Sequence, residues 1–134
     1  MTTLRLWTDA EVDGDPRVKA VFDDIRKSRK SDFVNNFWRA LANGPALLKA
    51  TWVRLQHVMA PGALDPLTKE LIYIAVSVTN GCSYCVHSHT AAAKTKGMTE
   101  AQYGELMAVI AMASQTNALA TAMQVEVDKR FKAD

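Results

Sequence analysis

Only two cysteines occur in the 134 residues, too few for the dense disulfide framework that holds small secreted domains together. No stretch of about 18 uninterrupted apolar residues is present, which removes the plainest sequence mark of a membrane-spanning helix. The opening MTTLRLWTDAEVDGD carries acidic residues where a signal peptide needs a continuous apolar run. A soluble protein of the cytoplasm is therefore expected. Charge of one sign is also missing: 16 Lys and Arg against 14 Asp and Glu leave +2, too weak a field to gather phosphate backbones or anionic lipid. Neither nucleic acid nor membrane is expected as a partner. The one basic cluster, Arg26, Lys27, Arg29 and Lys30, falls at the end of an expected helix, where cations favour the negative dipole end, and reads as a solvated face. Repeats, low-complexity tracts and linkers are absent.

What is there suits an ordinary globular chain. With 49% hydrophobic and 22% charged residues it can bury a real core without metal or disulfide staples. A single domain over residues 1–134 is expected, with residues 1–14 as a flexible lead-in. Helix punctuation recurs at short intervals. Asp15-Pro16, a cap followed by a proline at the first helical position, precedes Val18, Val21, Phe22 and Ile25, and that helix should reach about Lys30. A second apolar pattern, Phe33, Phe37 and Leu41, stops at Asn43-Gly44, and Pro45 restarts a helix carrying Leu47, Leu48, Trp52, Leu55 and Met59. After the break at Ala60-Pro61-Gly62, Asp65-Pro66 opens Leu67 to Thr79; Asn80-Gly81 ends it, and Cys82 to Lys96 continues as a helix closed by Gly97. Thr99 and Gln102 form a capping box for the next, and a last helix is expected over about Leu119 to Phe131.

The β-branched run Ile72 to Thr79 permits a strand, which before a C-x-x-C would resemble a thioredoxin motif. Against this, Leu67, Leu71, Ile74 and Val78 fall on one helical stripe, and no partner strands are on offer. An all-α fold of about six or seven helices follows.

In a reducing compartment two cysteines spaced for one another are redox-active or metal-binding more often than structural. Cys82, Cys85 and His89 lie within an arc of roughly 60° on one helix face, while His87 points to the other side. At a helix N-terminus the positive dipole end and unpaired N–H groups stabilise a thiolate. His89, four residues after Cys85, can take the thiol proton, and once one sulfur is oxidised the second can condense with it to a disulfide. Two other readings stand beside this one. Zinc could draw on Cys82, Cys85, His87 and His89, but three of these span ~10 Å along one straight helix and the fourth faces away, so a tetrahedral shell does not close. Two buried, inert cysteines are the second. For Glu70, twelve residues before Cys82 and about 40° outside the apolar stripe, a solvated surface carboxylate and a carboxylate orienting a histidine both remain open. His57 and His87 read as non-catalytic.

The run Leu64-Asp65-Pro66-Leu67-Thr68-Lys69-Glu70-Leu71-Ile72, followed by Asn80-Gly81-Cys82-Ser83-Tyr84-Cys85-Val86-His87-Ser88-His89-Thr90-Ala91-Ala92-Ala93, closely resembles the carboxymuconolactone decarboxylase superfamily, in its alkylhydroperoxidase D-like branch. Phe37-Trp38-Arg39-Ala40-Leu41-Ala42 with Pro45-Ala46-Leu47-Leu48 is similar too. The resemblance implies a compact multi-helix fold assembled as homotrimers or homohexamers, and reduction of small organic hydroperoxides with an external dithiol as reductant. No metal or organic cofactor is implied. By the same resemblance Cys85 is the peroxidatic thiol, Cys82 the resolving one, His89 the base and Glu70 the carboxylate that polarises it. The dipole argument alone favours Cys82 as the more acidic thiol. One departure stands out: the best-known members carry histidine where this chain has Tyr84, and Tyr84 either donates a hydrogen bond to the peroxide or merely packs. Two rivals remain, lactone decarboxylation on the same fold, which does not depend on a cysteine pair, and a redox-responsive module whose disulfide alters a partner interface. Met107, Met112 and Met123 supply adaptable apolar surface, read first as core and otherwise as interface.

Overall fold

The computed structural model describes residues 1–132, and among them every regular element is helical. Seven α-helices follow in order: α1 Asp9–Asp13, α2 Pro16–Arg29, α3 Asn36–Leu41, α4 Pro45–Met59, α5 Pro66–Thr79, α6 Ser83–Thr95 and α7 Glu100–Ala122, with a 3₁₀ turn at Lys129–Phe131. The run Ile72 to Thr79 is helix, as the stripe argument requires. The chain divides into two compact units, residues 1–60 and 61–134.

In the first unit, Asp15 caps α2 through its carboxylate on the Arg17 N–H, and Pro16 occupies the first turn as expected. The α2 stripe Val18, Val21, Phe22 and Ile25 is buried with Val12, Val34, Trp38, Ala42, Leu48 and Trp52. Side chains of this size contribute about 1.5–3 kcal/mol each when removed from water. The Trp38 and Trp52 rings meet edge to face at 5.3 Å, and the Trp52 indole N–H donates to Asp24 at 2.6 Å, so a buried polar handle is satisfied. The opening residues include a built element: Thr8 and Glu11 form a reciprocal capping box on α1, and Arg39 reaches the Trp7 carbonyl at 2.8 Å and Asp9 at 2.9 Å. The expected Phe33-Phe37-Leu41 helix is shorter than its apolar pattern, because α3 starts at Asn36 and leaves Phe33 outside it and exposed.

In the second unit, Asp65 caps α5 through the Thr68 N–H, again with proline at the first position. α5 and α6 lie side by side, and Ile74, Ala93 and Met98 form a small buried cluster joined by Leu67, Leu71, Tyr103, Leu106 and Met107. The two ends of α6 are fixed by one device used twice. After α5, Gly81 takes φ +68°, its N–H bonds the Val78 carbonyl and the Cys82 N–H bonds the Ser77 carbonyl at 2.9 Å. After α6, Gly97 takes φ +94°, with its N–H on Lys94 and the Met98 N–H on Ala93, both at 3.0 Å. Both are Schellman closures, which need a left-handed residue where glycine alone is free of Cβ strain.

The expected final helix over Leu119 to Phe131 is corrected. α7 runs unbroken from the Thr99/Gln102 capping box to Ala122, and the chain then leaves the helix at Gln124, φ 47°, before the short 3₁₀ turn. The polar stretch Ser114 to Asn117 does not interrupt it, since the Thr116 hydroxyl bonds back to the Met112 carbonyl at 3.1 Å within the helix. No residue of α7 is buried. Met107 packs against the Ile74 cluster, but Met112 is 53% and Met123 66% exposed, so the core reading of those two is wrong within this chain.

Candidate active site

Everything singled out around the cysteines lies within residues 61–132. The Gly81 turn delivers Cys82 directly to the cap position of α6, where its sulfur accepts the Cys85 N–H at 3.2 Å in place of the usual cap oxygen. One turn on, Cys85 is joined to Cys82 by a disulfide, S–S 2.07 Å and Cα–Cα 5.3 Å. Both cysteines are half-buried. Neither is deeply buried. A further turn along α6, His89 is 18% exposed at its side chain and faces α5.

From α5 comes Glu70, only 4% exposed despite its position beside the apolar stripe. The surface reading of Glu70 is thereby set aside. Its Oε2 lies 2.7 Å from His89 Nδ1, and its Oε1 accepts from Lys96 Nζ at 2.8 Å. Burial opposes ionisation of this carboxyl, yet the hydrogen bonds from His89 and Lys96 and the positive charge of each outweigh it and hold Glu70 below its ordinary value of 4.5. An ionised carboxylate only accepts, so Nδ1 of His89 must carry the proton. In the neutral ring the lone pair then sits on Nε2, the form a general base requires. Tyr73, one turn after Glu70 on α5, stacks on the imidazole with centroids 3.5 Å apart and planes 17° off parallel. The ring is thus fixed in plane by Tyr73 and in rotation by Glu70.

Tyr84, His87 and His57 have a more exposed setting than Glu70 and His89. Tyr84 and His87 are exposed on α6, and His57 is exposed on α4 in the other unit. Among the described residues no three His, Cys, Asp or Glu side chains are grouped to hold a metal ion.

Two members of the network escaped the sequence reading. Lys96 follows His89 by seven residues, two helical turns, so the same face count that linked Cys82, Cys85 and His89 extends to it. Tyr73 follows Glu70 by three, which puts it on Glu70's face by the same rule.

A family model described as the carboxymuconolactone decarboxylase family matches residues 45–126. An alkyl hydroperoxide reductase AhpD of Solibacter usitatus is 40% identical over 76 residues, 57% of this chain and 41% of that protein. An AhpD of Maricaulis maris is 33% identical over 70 residues, 52% of this chain and 39% of its own length. The chain thus spans about two fifths of the hydroperoxide reductases it matches. A crystal structure described as the alkylhydroperoxidase AhpD core of Rhodospirillum rubrum shares 64% identity at a TM-score of 0.98, covering 100% of this chain and 99% of that one.

Proposed function

The chain belongs to the carboxymuconolactone decarboxylase family, in its alkylhydroperoxidase D-like branch, and on that premise we propose that it reduces organic hydroperoxides through the Cys82–Cys85 dithiol. The observation that carries this reading is the pairing of buried Glu70 with half-buried His89, one turn beyond a half-buried disulfide at a helix N-terminus. In the reduced protein His89 takes the Cys85 proton. The Cys85 thiolate attacks the terminal peroxide oxygen, the O–O bond breaks, and the alkoxide leaves as alcohol with the proton returned by His89; Cys85 is now a sulfenic acid. The Cys82 thiol attacks that sulfur, forms the disulfide and releases water. An external dithiol then exchanges with the disulfide, becoming oxidised itself and restoring both thiols. This recycling suits the cytoplasm, where such reductants are held reduced.

We also propose that copies of the chain associate, as trimers or hexamers. The most apolar 18-residue stretch of α7 has a mean hydropathy of 1.3, and the helix is long and apolar enough to cross a membrane, yet no residue of α7 is fully buried within the chain. Val109, Met112, Leu119 and Met123 are all exposed along it, and exposed apolar side chains gathered on one helix face mark an interaction surface.

The test is stopped-flow consumption of cumene hydroperoxide by reduced protein, beside Cys85→Ser and Cys82→Ser, with free thiols counted afterwards. Wild type should consume peroxide and lose two thiols, Cys85→Ser should be inert, and Cys82→Ser should turn over once. Disulfide formation no faster than in a free small dithiol would end the peroxidase reading and leave a redox-responsive module.

A further inference from the structure

Lys96 ends α6, and its backbone is pinned: its N–H bonds the Ala92 and Ala93 carbonyls at 3.1 and 3.0 Å, and the Gly97 turn with buried Met98 follows at once. From that fixed base the side chain returns along the helix to Glu70 of α5. One carboxylate oxygen therefore goes to a lysine and the other to the histidine.

We infer that Lys96 is a positioning residue for the dithiol centre: by occupying Oε1 of Glu70 it keeps the carboxylate charged and commits Oε2 to His89 Nδ1. This rests on the reading of His89 as the base. Without the ammonium, Oε1 would be a buried acceptor lacking its charged partner, and the carboxyl would tend to take a proton instead. A protonated Glu70 can donate to Nδ1. The ring proton would then move to Nε2, the nitrogen that must be bare to accept a thiol proton.

The competing account is that Lys96 only ties the end of α6 to α5. That job is already done by Ile74, Ala93 and Met98, which bury the contact between the helices. The Lys96 side chain is 37% exposed, and an ion pair of that kind adds little to docking. The charged groups that face Glu70 are His89 and Lys96, both from α6; α7 adds Tyr103 to the adjoining cluster.

The experiment titrates the Glu70 carboxyl by ¹³C NMR in the disulfide form of wild type, Lys96→Gln and Lys96→Arg, and records the pH dependence of peroxide consumption by the reduced proteins. In Lys96→Gln the Glu70 midpoint should rise by about one pH unit or more, the size expected for losing one adjacent opposite charge. The acid limb of the rate profile should move with it, and Lys96→Arg should restore most of both. Lys96→Met keeps the stem and replaces the glutamine variant if that does not fold. An unchanged Glu70 midpoint in folded Lys96→Gln, with only a lower unfolding temperature, overturns the inference and leaves a mechanical tie. If wild type consumes no peroxide, the hydroperoxidase reading falls, and the carboxyl titration still decides the role of Lys96.

Discussion

Replacing Glu70 with glutamine keeps the shape of the site and removes one charge, so its consequences can be worked atom by atom. The carboxylate now accepts at both oxygens, from His89 at 2.7 Å and Lys96 at 2.8 Å. An amide has one accepting oxygen and one donating nitrogen. Lys96 can only donate, so it should claim the oxygen, and the amide NH₂ turns to His89 Nδ1. Nδ1 must then accept, and the neutral ring is forced into the Nε2–H tautomer. The base is lost by a proton shift of the ring, with no displacement of the backbone. Peroxide consumption should fall by about 10²–10⁴-fold, the usual range for a positioned general base. Stability should fall by roughly 1.5–3 kcal/mol for the charge-assisted bond to His89, with less from Lys96, whose ammonium can reach water. The assay pairs stopped-flow rates with ¹⁵N NMR of the His89 ring, which separates the two tautomers directly. A Glu70→Gln variant that keeps the wild-type rate, or loses it while Nδ1 stays protonated, would refute this reasoning.

Three further outcomes follow. Because Glu70 is held below 4.5 in the folded protein, the stability it supplies is complete above that value and lost as pH falls through the folded midpoint; the gap in unfolding temperature between wild type and Glu70→Gln should close on acidification below about 4.5. Gly81→Ala meets no atom within 4 Å but holds φ +68°, so it should cost about 1 kcal/mol, an unfolding midpoint lower by about 4 °C, and Gly81→Asn should cost less; a neutral alanine would show that the turn relaxes. Met112→Glu together with Leu119→Glu places charge on the exposed face of α7 and should reduce the mass measured by light scattering to that of one chain, while unchanged mass would exclude that face from assembly.

How legible the fold was depended on how local its causes are. Asp15-Pro16, Asp65-Pro66, Pro45 and the Thr99/Gln102 box each act within one turn of themselves, and each helix starts where they say. The end of α7 was not readable, because Gln124 takes the left-handed conformation in place of a glycine and nothing nearby marks it. The face shared by Cys82, Cys85 and His89 came from counting along one helix. Glu70 needed more, since spacing put it outside the apolar stripe and only packing against α6 decides that a carboxylate there is buried. Lys96 and Tyr73 obeyed the same counting rule and were overlooked because a lysine at a helix end and a tyrosine in an apolar run are ordinary in those places.

The pair of left-handed glycines that bound α6 gives the site a property of its own. Between Gly81 and Gly97 the helix acts as a ruler with fixed stops, carrying the sulfurs at one end and the lysine at the other. Such a ruler cannot be adjusted smoothly. Adding or removing one residue between His89 and Lys96 would turn the far end by about 100° and shift it by about 1.5 Å, taking Nζ off the carboxylate while leaving the disulfide in place. Side chains along α6 can be exchanged one at a time, but its length is a whole number, and any change in it between His89 and Lys96 would take the ammonium off the carboxylate that holds the imidazole.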